Sequence, residues 1–459
     1  MNIRKLYKNS GITLIALIIT IIVMLILVAV TITVAVNGGL FEYAGRATKE
    51  TKEEIDKEQQ LASLEESLTV DQLITKYTTP NYADAKFENG LLTENAKYTV
   101  EGEGTAVIPK GFKVLETEGT TIEGGLVITD SNETSEDGEN IGNQFVWIPV
   151  DKAIITESEI AKIIADSGNS EMTDLEAVQS LVNNGTYPMA VQDGADYKGI
   201  LYNFTHNADD TLTLTVKDWT STTSYREPAT LEGRKTWTSA TKVNGTEIAE
   251  GTSYVYDSQN MFTLYEVGTY SDTLYQNSYN QMVQSVAQNG GFYVGRYEIS
   301  LYTDSENNTI KYAQTKKNQR ALVSTTWYEM YKYERDYAKY NTKLGVTSEM
   351  IWGSQWDQMM IFVNGKNDGA GAKFYVAETG ERKSGNSSIT TGNNQADQVA
   401  NIFDLEASRY ELTQEADSSY VRVGRGGSYD VSTYAYFRGS VVPTVSTSTY
   451  SSRASLYIK

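Results

Sequence analysis

The sequence predicts an α+β protein in which a long apolar helix and a charged stalk helix precede a domain of strands, helices and much irregular structure. Three observations carry that expectation. No charged residue occurs between Ile12 and Val36. Residues 40–77 then alternate charges of both signs. Beyond Ala106 the chain breaks into short runs of Val, Ile, Thr and Tyr divided by Gly, Asn and Asp, which is the texture of strands and turns.

Composition narrows the function classes. The chain has 459 residues, no cysteine, one histidine, 32 tyrosines and a formal net charge of -20. Such an acidic chain repels polyphosphate, so nucleic acid is not an expected partner. Hydrophobic residues make up 40% of the chain, enough to build a core and to set global disorder aside.

Residues 1–11 form a basic leader with Arg4, Lys5 and Lys8, ending in Gly11. As a helix, residues 12–36 would reach about 37 Å, more than the roughly 30 Å of hydrocarbon in a bilayer. A secretory signal has a shorter apolar core and a small-residue cleavage site, whereas this run ends at Asn37-Gly38-Gly39. Basic residues ahead of the span predict a cytoplasmic N-terminus and a membrane-anchored, cell-surface protein with its C-terminal domain outside.

The basic leader, Gly11 and the following "ITLIALIITIIV" resemble a type IV prepilin leader. That resemblance implies a pilin-like helix over 12–36 and cleavage between Gly11 and Ile12 by a prepilin peptidase, with other pilin subunits as further partners. Ala16 stands where pilins usually carry a glutamate that pairs with a neighbouring subunit's amine. An unpartnered carboxylate in hydrocarbon is costly, and its replacement here favours a minor subunit, or a protein kept in the membrane, over a filament's main building block. An uncleaved single-span anchor is the plainer alternative.

The stalk at 40–77 places Ile55, Leu61, Leu64 and Leu68 near helical spacing, a stripe too thin for a strong coiled coil. It reads as a solvated spacer ending near Pro80. In the domain at 106–459, helical patterns fall near 157–183, 328–341 and 354–364. The acidic loop from Asp130 to Asn140 lacks calcium-loop spacing and reads as a solvated turn. In the final run, Ala454, Leu456 and Ile458 alternate with Ser455, Tyr457 and Lys459, the period of a strand with one buried face.

Within the domain, "GGFYVGRYEIS", "STTWYEMYKY", "MIWGSQWDQMM", "NIFDLEASRYELT" and "GRGGSYDVSTYAYFRG" follow in order. They resemble the successive motifs of the formylglycine-generating enzyme, or sulfatase-modifying factor, family. The resemblance implies a C-type-lectin-like fold whose ends join, here by antiparallel pairing of 144–150 with 453–459. Ser408 stands where that family has an asparagine associated with structural calcium, so no metal is carried over. The family's oxidases use a cysteine pair to hold copper, and iron-dependent relatives need several histidines. This chain has no cysteine, and His206 stands alone beside Asp209 and Asp210, which complete no facial triad. No carboxylate pair or serine elbow is singled out by a motif. The expectation is therefore a protein that is not an enzyme, with no catalytic residue, metal site or cofactor.

Between Gly426 and Ile458 the chain contains no Lys, Glu, Gln, Asn, Met or Trp. Tyrosine with Ser and Gly is the mixture of adaptable binding surfaces, because Tyr offers large contact area on few torsions. The expected ligand residues are Tyr429, Asp430, Tyr434, Tyr436, Arg438, Tyr450 and Ser451, facing an extracellular protein or glycan. Arg438 also reads as a structural arginine buried against a carboxylate. Two other readings stand beside recognition: a structural minor pilin with no ligand of its own, and a metal-dependent enzyme of the sulfatase-modifying-factor family.

Overall fold

A computed structural model describes Tyr82 and residues 85–459, apart from 209–211, 221–224, 229–233, 237–240, 244–245, 249–252, 256–271, 365–389, 393–397, 406–408, 419–420, 429–434 and 444. Contacts divide the chain into Met1–Pro80 and a compact unit, Asn81–Lys459. The core of that unit takes in Tyr82, Leu92 and Tyr98.

Its backbone is a six-stranded sheet built from β1 (Lys113–Val114), β2 (Val127–Thr129), β3 (Gln144–Pro149), β4 (Gly291–Gly295), β5 (Val346–Met350) and β10 (Ala454–Ile458), in the order β5-β10-β4-β3-β2-β1 with every pair antiparallel. The centre is β4, "GFYVG", whose five residues are all buried. Trp147 of β3 packs against Tyr293 of β4 with ring centroids 4.9 Å apart. At Gly291 a Cβ would lie 2.4 Å from the Ile148 carbonyl oxygen and 2.5 Å from the Trp147 ring, so only glycine lets the two strands meet there.

Four further strands, β6 (Tyr410–Ser418), β7 (Val421–Arg425), β8 (Arg438–Val441) and β9 (Tyr450–Ser452), form a second sheet in the order β8-β7-β6-β9. The β6-β9 pair is parallel and the other two are antiparallel.

Five helices are described: α1 (Glu157–Ser167), α2 (Asp174–Asn183), α3 (Asp272–Asn289), α4 (Trp327–Tyr340) and α5 (Gly353–Val363). Thr156, Thr173 and Thr326 cap α1, α2 and α4, each forming a reciprocal box with a glutamate three residues on, which satisfies backbone donors that no helix turn can reach. The α3 helix buries Tyr275, Tyr279, Met282, Val283 and Val286, the spacing of one helical face. Nearly all of α5 is buried, including Ser354, Gln355 and Asp357, so its polar groups must find partners inside the protein.

Three expectations need correction or placing. The architecture led by a long transmembrane helix is not what the structure gives: among the described residues no helix is long and apolar enough to cross a membrane. The described helices run from 10 to 18 residues, and those capped by threonine are amphipathic, with one face in the core and the other in water. The leader with Gly11 and Ile12, the run at 12–36 and the stalk at 40–77 lie outside the described residues. Finally, β3 and β10 share a sheet but do not pair. The β4 strand lies between them, with Val294 opposite Val146 on one side and Ser455 on the other, so β3 and β10 run parallel to each other. Every residue of β10 is buried; both its faces are covered, not one.

Candidate functional site

The second sheet gathers the residues that the sequence singles out and sorts them by strand alternation. Register places Glu411 opposite Arg425, Arg425 opposite Arg438, and Glu411 opposite Ser451. These four point inward. Register likewise sets Tyr410 beside Tyr450 and Gly424 opposite Gly439, and these face the other way.

The inward face is an ionic lattice. Arg425 spans Asp357 of α5 and Glu415 of β6, with its second contact at 3.0 Å. Arg438 reaches the same two carboxylates at 3.0 and 2.6 Å and donates to the Tyr202 carbonyl at 3.2 Å. Asp357 also accepts the Tyr202 amide at 2.8 Å. Burial works against the Arg438 charge, yet Glu415 and Asp357 outweigh it and raise its pKa above the ordinary value. Two guanidiniums thus answer two carboxylates, the arrangement that makes buried charge tolerable.

Glu227 sits beside this lattice and accepts the amides of Gly353 and Ser354, the latter at 2.9 Å, at the start of α5. Burial, and then repulsion from Glu415, push its pKa up to about 8. On the rim, Tyr225 receives Lys217 at 4.6 Å and Arg438 at 5.3 Å from its ring centre. A second buried knot lies deeper in the same sheet. Arg453 holds both Glu411 oxygens at 2.8 and 2.5 Å and donates to the Gly295 and Phe403 carbonyls. Burial still raises Asp404 to about 6 and Glu411 to about 7.

The outward face is aromatic. Tyr410 lies 5.6 Å from Phe437 and 6.0 Å from Tyr450, each pair tilted by 39°. Gly424 and Gly439 form the floor between these rings, and a Cβ at Gly439 would stand 2.7 Å from the Phe437 ring. Phe437 is 36% exposed and its neighbours Val442 and Val445 are 45% and 37% exposed. Farther along the same face Ser452 donates to Glu334 of α4 at 3.0 Å, so the helix covers that end, while at the aromatic end Tyr410 and Tyr450 are half-buried and Phe437 is exposed.

The expected ligand residues therefore divide. Tyr450 joins the outward platform. Tyr436 stacks on Phe204 at 5.9 Å and 24°. Arg438 is committed to the ionic lattice, and Ser451 is fully buried. Tyr429, Asp430 and Tyr434, with the processing residues Gly11 and Ile12, lie outside the described residues. Sequence reasoning missed Tyr410, Phe437, Gly424 and Gly439. Their available signal was a pair of glycines inside strand patterns, which marks a bare surface or a close approach.

His206 pairs with Leu212 in the hairpin of Tyr202–His206 and Leu212–Val216. Among the described residues no group of three or more histidine, aspartate or glutamate side chains stands where it could hold a metal ion. No family model, no curated protein and no solved structure matches this chain.

Proposed function

We propose that this chain is an extracytoplasmic recognition protein that binds an extracellular protein or glycan without chemical turnover. The observation that carries the reading is the division of labour across the second sheet. Arg425, Arg438, Asp357 and Glu415 lock its inner face to α5, and Arg422, on the face of Gly424, is buried over the Trp327 ring of α4. Its open face presents Tyr410, Phe437 and Tyr450 from separate strands and a turn, over a glycine floor. Aromatic anchors on a rigid scaffold are what binding hot spots use, each worth about 1–3 kcal/mol when truncated. The fixed inner lattice keeps that face from rearranging, so little ordering is left to do on binding.

The test is a Phe437→Ala, Tyr450→Ala double variant, screened with the wild type on arrays of neutral glycans and extracellular proteins and melted in parallel. Loss of the wild-type signals at an unchanged thermal midpoint supports the reading. Signals retained in full, or no wild-type signal on either array, would favour a structural subunit with no ligand of its own.

A further inference from the structure

We propose that the C-terminal half of α4, with the hairpin formed by Ser300–Thr303 and Lys311–Gln314, is a second binding surface and that its ligand is an acidic polysaccharide. This surface is separate from the aromatic face of the second sheet and does not depend on it.

Charge gives the first argument. Residues 300–343 hold eight basic side chains against five acidic ones, Asp304 and Glu306 among them in the hairpin turn, in a chain whose net charge is -20. Of those acids, Glu334 is buried against Ser452. Asp336, only 7% exposed, is shared by Lys332 at 2.7 Å and Lys339 at 3.3 Å. One carboxylate therefore answers two ammonium groups. Lys343 adds an exposed charge just past the helix. Lys110 adds another, because the turn carrying it packs on the turn after α4 through the Gly345 amide and the Lys110 carbonyl, 2.8 Å apart. Lys317, by contrast, is matched by Glu139 at 2.6 Å. A polyanion repelled by most of this protein finds its attraction on this surface.

Ring geometry gives the second argument and separates a sugar from other anions. Tyr302 and Tyr312 stack at 4.5 Å and 25°, and Tyr312 lies 6.3 Å and 32° from Tyr340, which is 38% exposed. The three rings thus step from the hairpin to the end of α4, the first pair stacked and the second tilted, with Lys339 5.2 Å from the Tyr340 ring centre. The flat C–H face of a pyranose packs against an aromatic face, while ring carboxylates reach for the neighbouring ammonium groups. An acidic peptide offers the charge without the flat face. A neutral glycan offers the face without the charge.

The full chain is passed over immobilised alginate, poly-L-glutamate, duplex DNA and neutral dextran in low salt. The proposal expects retention on alginate that weakens as salt rises, with retention on each of the other three at least about tenfold weaker. A Lys339→Glu, Lys343→Glu variant should lose alginate binding about tenfold or more. Tyr340→Ala should weaken it severalfold, and both changes fall on exposed side chains whose thermal midpoint should hold. The Phe437→Ala, Tyr450→Ala variant should bind alginate as the wild type does. Equal retention on poly-L-glutamate or DNA would reduce the surface to bare charge and overturn the proposal. So would equal retention on dextran, absence of alginate binding, or alginate binding untouched by charge reversal.

Discussion

Glu227 is the residue through which pH acts most directly on this fold. Its carboxyl is buried against the start of α5, with Gly353 and Ser354 donating to it and Glu415 and Tyr279 nearby. With its proton on, the lattice is balanced; without it, a third carboxylate faces two guanidiniums. The folded pKa of about 8 stands above the ordinary 4.5. The folded state therefore holds a proton that the unfolded chain releases, and its stabilising effect is complete below about 4.5 and lost as pH rises through about 8. Asp404 and Glu411, raised to about 6 and 7, act in the same direction at lower pH. Thermal midpoints measured from pH 5 to 9 should fall for the wild type. In Glu227→Gln the fall between about pH 5 and 8 should be shallower, most clearly between about 7 and 8, above the Asp404 and Glu411 range, and parallel curves for the two proteins would show that Glu227 is not the group responsible. None of this was legible in the sequence. A lone Glu-Pro in a polar stretch says nothing about the helix terminus it will meet, whereas Arg438 could at least be read as an arginine seeking a buried carboxylate.

At the scale of elements, the helices at 157–183, 328–341 and 354–364 and the strands at 144–150 and 453–459 were legible where local pattern decides them. The threonine caps and the two-sided burial of the strand Gln144–Pro149 came only with the structure. The α3 helix escaped notice because Tyr, Gln and Asn dilute its apolar stripe: Tyr275 and Tyr279 do the work of aliphatics. Strand neighbours were not legible either. Alternation in "RASLYIK" marks a strand but not its partner, and β4 took the place between β3 and β10. The position of β4 rests on Gly291, whose missing side chain admits the Ile148 carbonyl and the Trp147 ring. Gly291→Ala should cost about 1–3 kcal/mol by forcing that contact apart, visible as a lowered chemical-denaturation midpoint. An unchanged midpoint would mean that the two strands separate there at no cost.

The whole unit from Asn81 to Lys459 is arranged so that one sheet is sealed and the other is half open. Charge lies inside the second sheet, as the Arg425 and Arg453 knots, and aromatic surface lies outside it, over Gly424 and Gly439. The sequence shows a tyrosine-rich segment in this part of the chain, where ligand residues are expected. It offered the inward reading of Arg438 but could not say that Ser451 turns inward while Phe437 turns out, because that depends on a register set by the neighbouring strands. The aromatic end of the second sheet is the binding face we propose. Its most direct test is hydroxyl-radical footprinting of the full chain, alone and saturated with a partner captured on the arrays. Tyr410, Phe437 and Tyr450 should become protected together while Phe87, exposed on the hairpin of Phe87–Glu88 and Leu91–Leu92, keeps its reactivity. Unchanged labelling of those three rings at saturating partner would contradict the account.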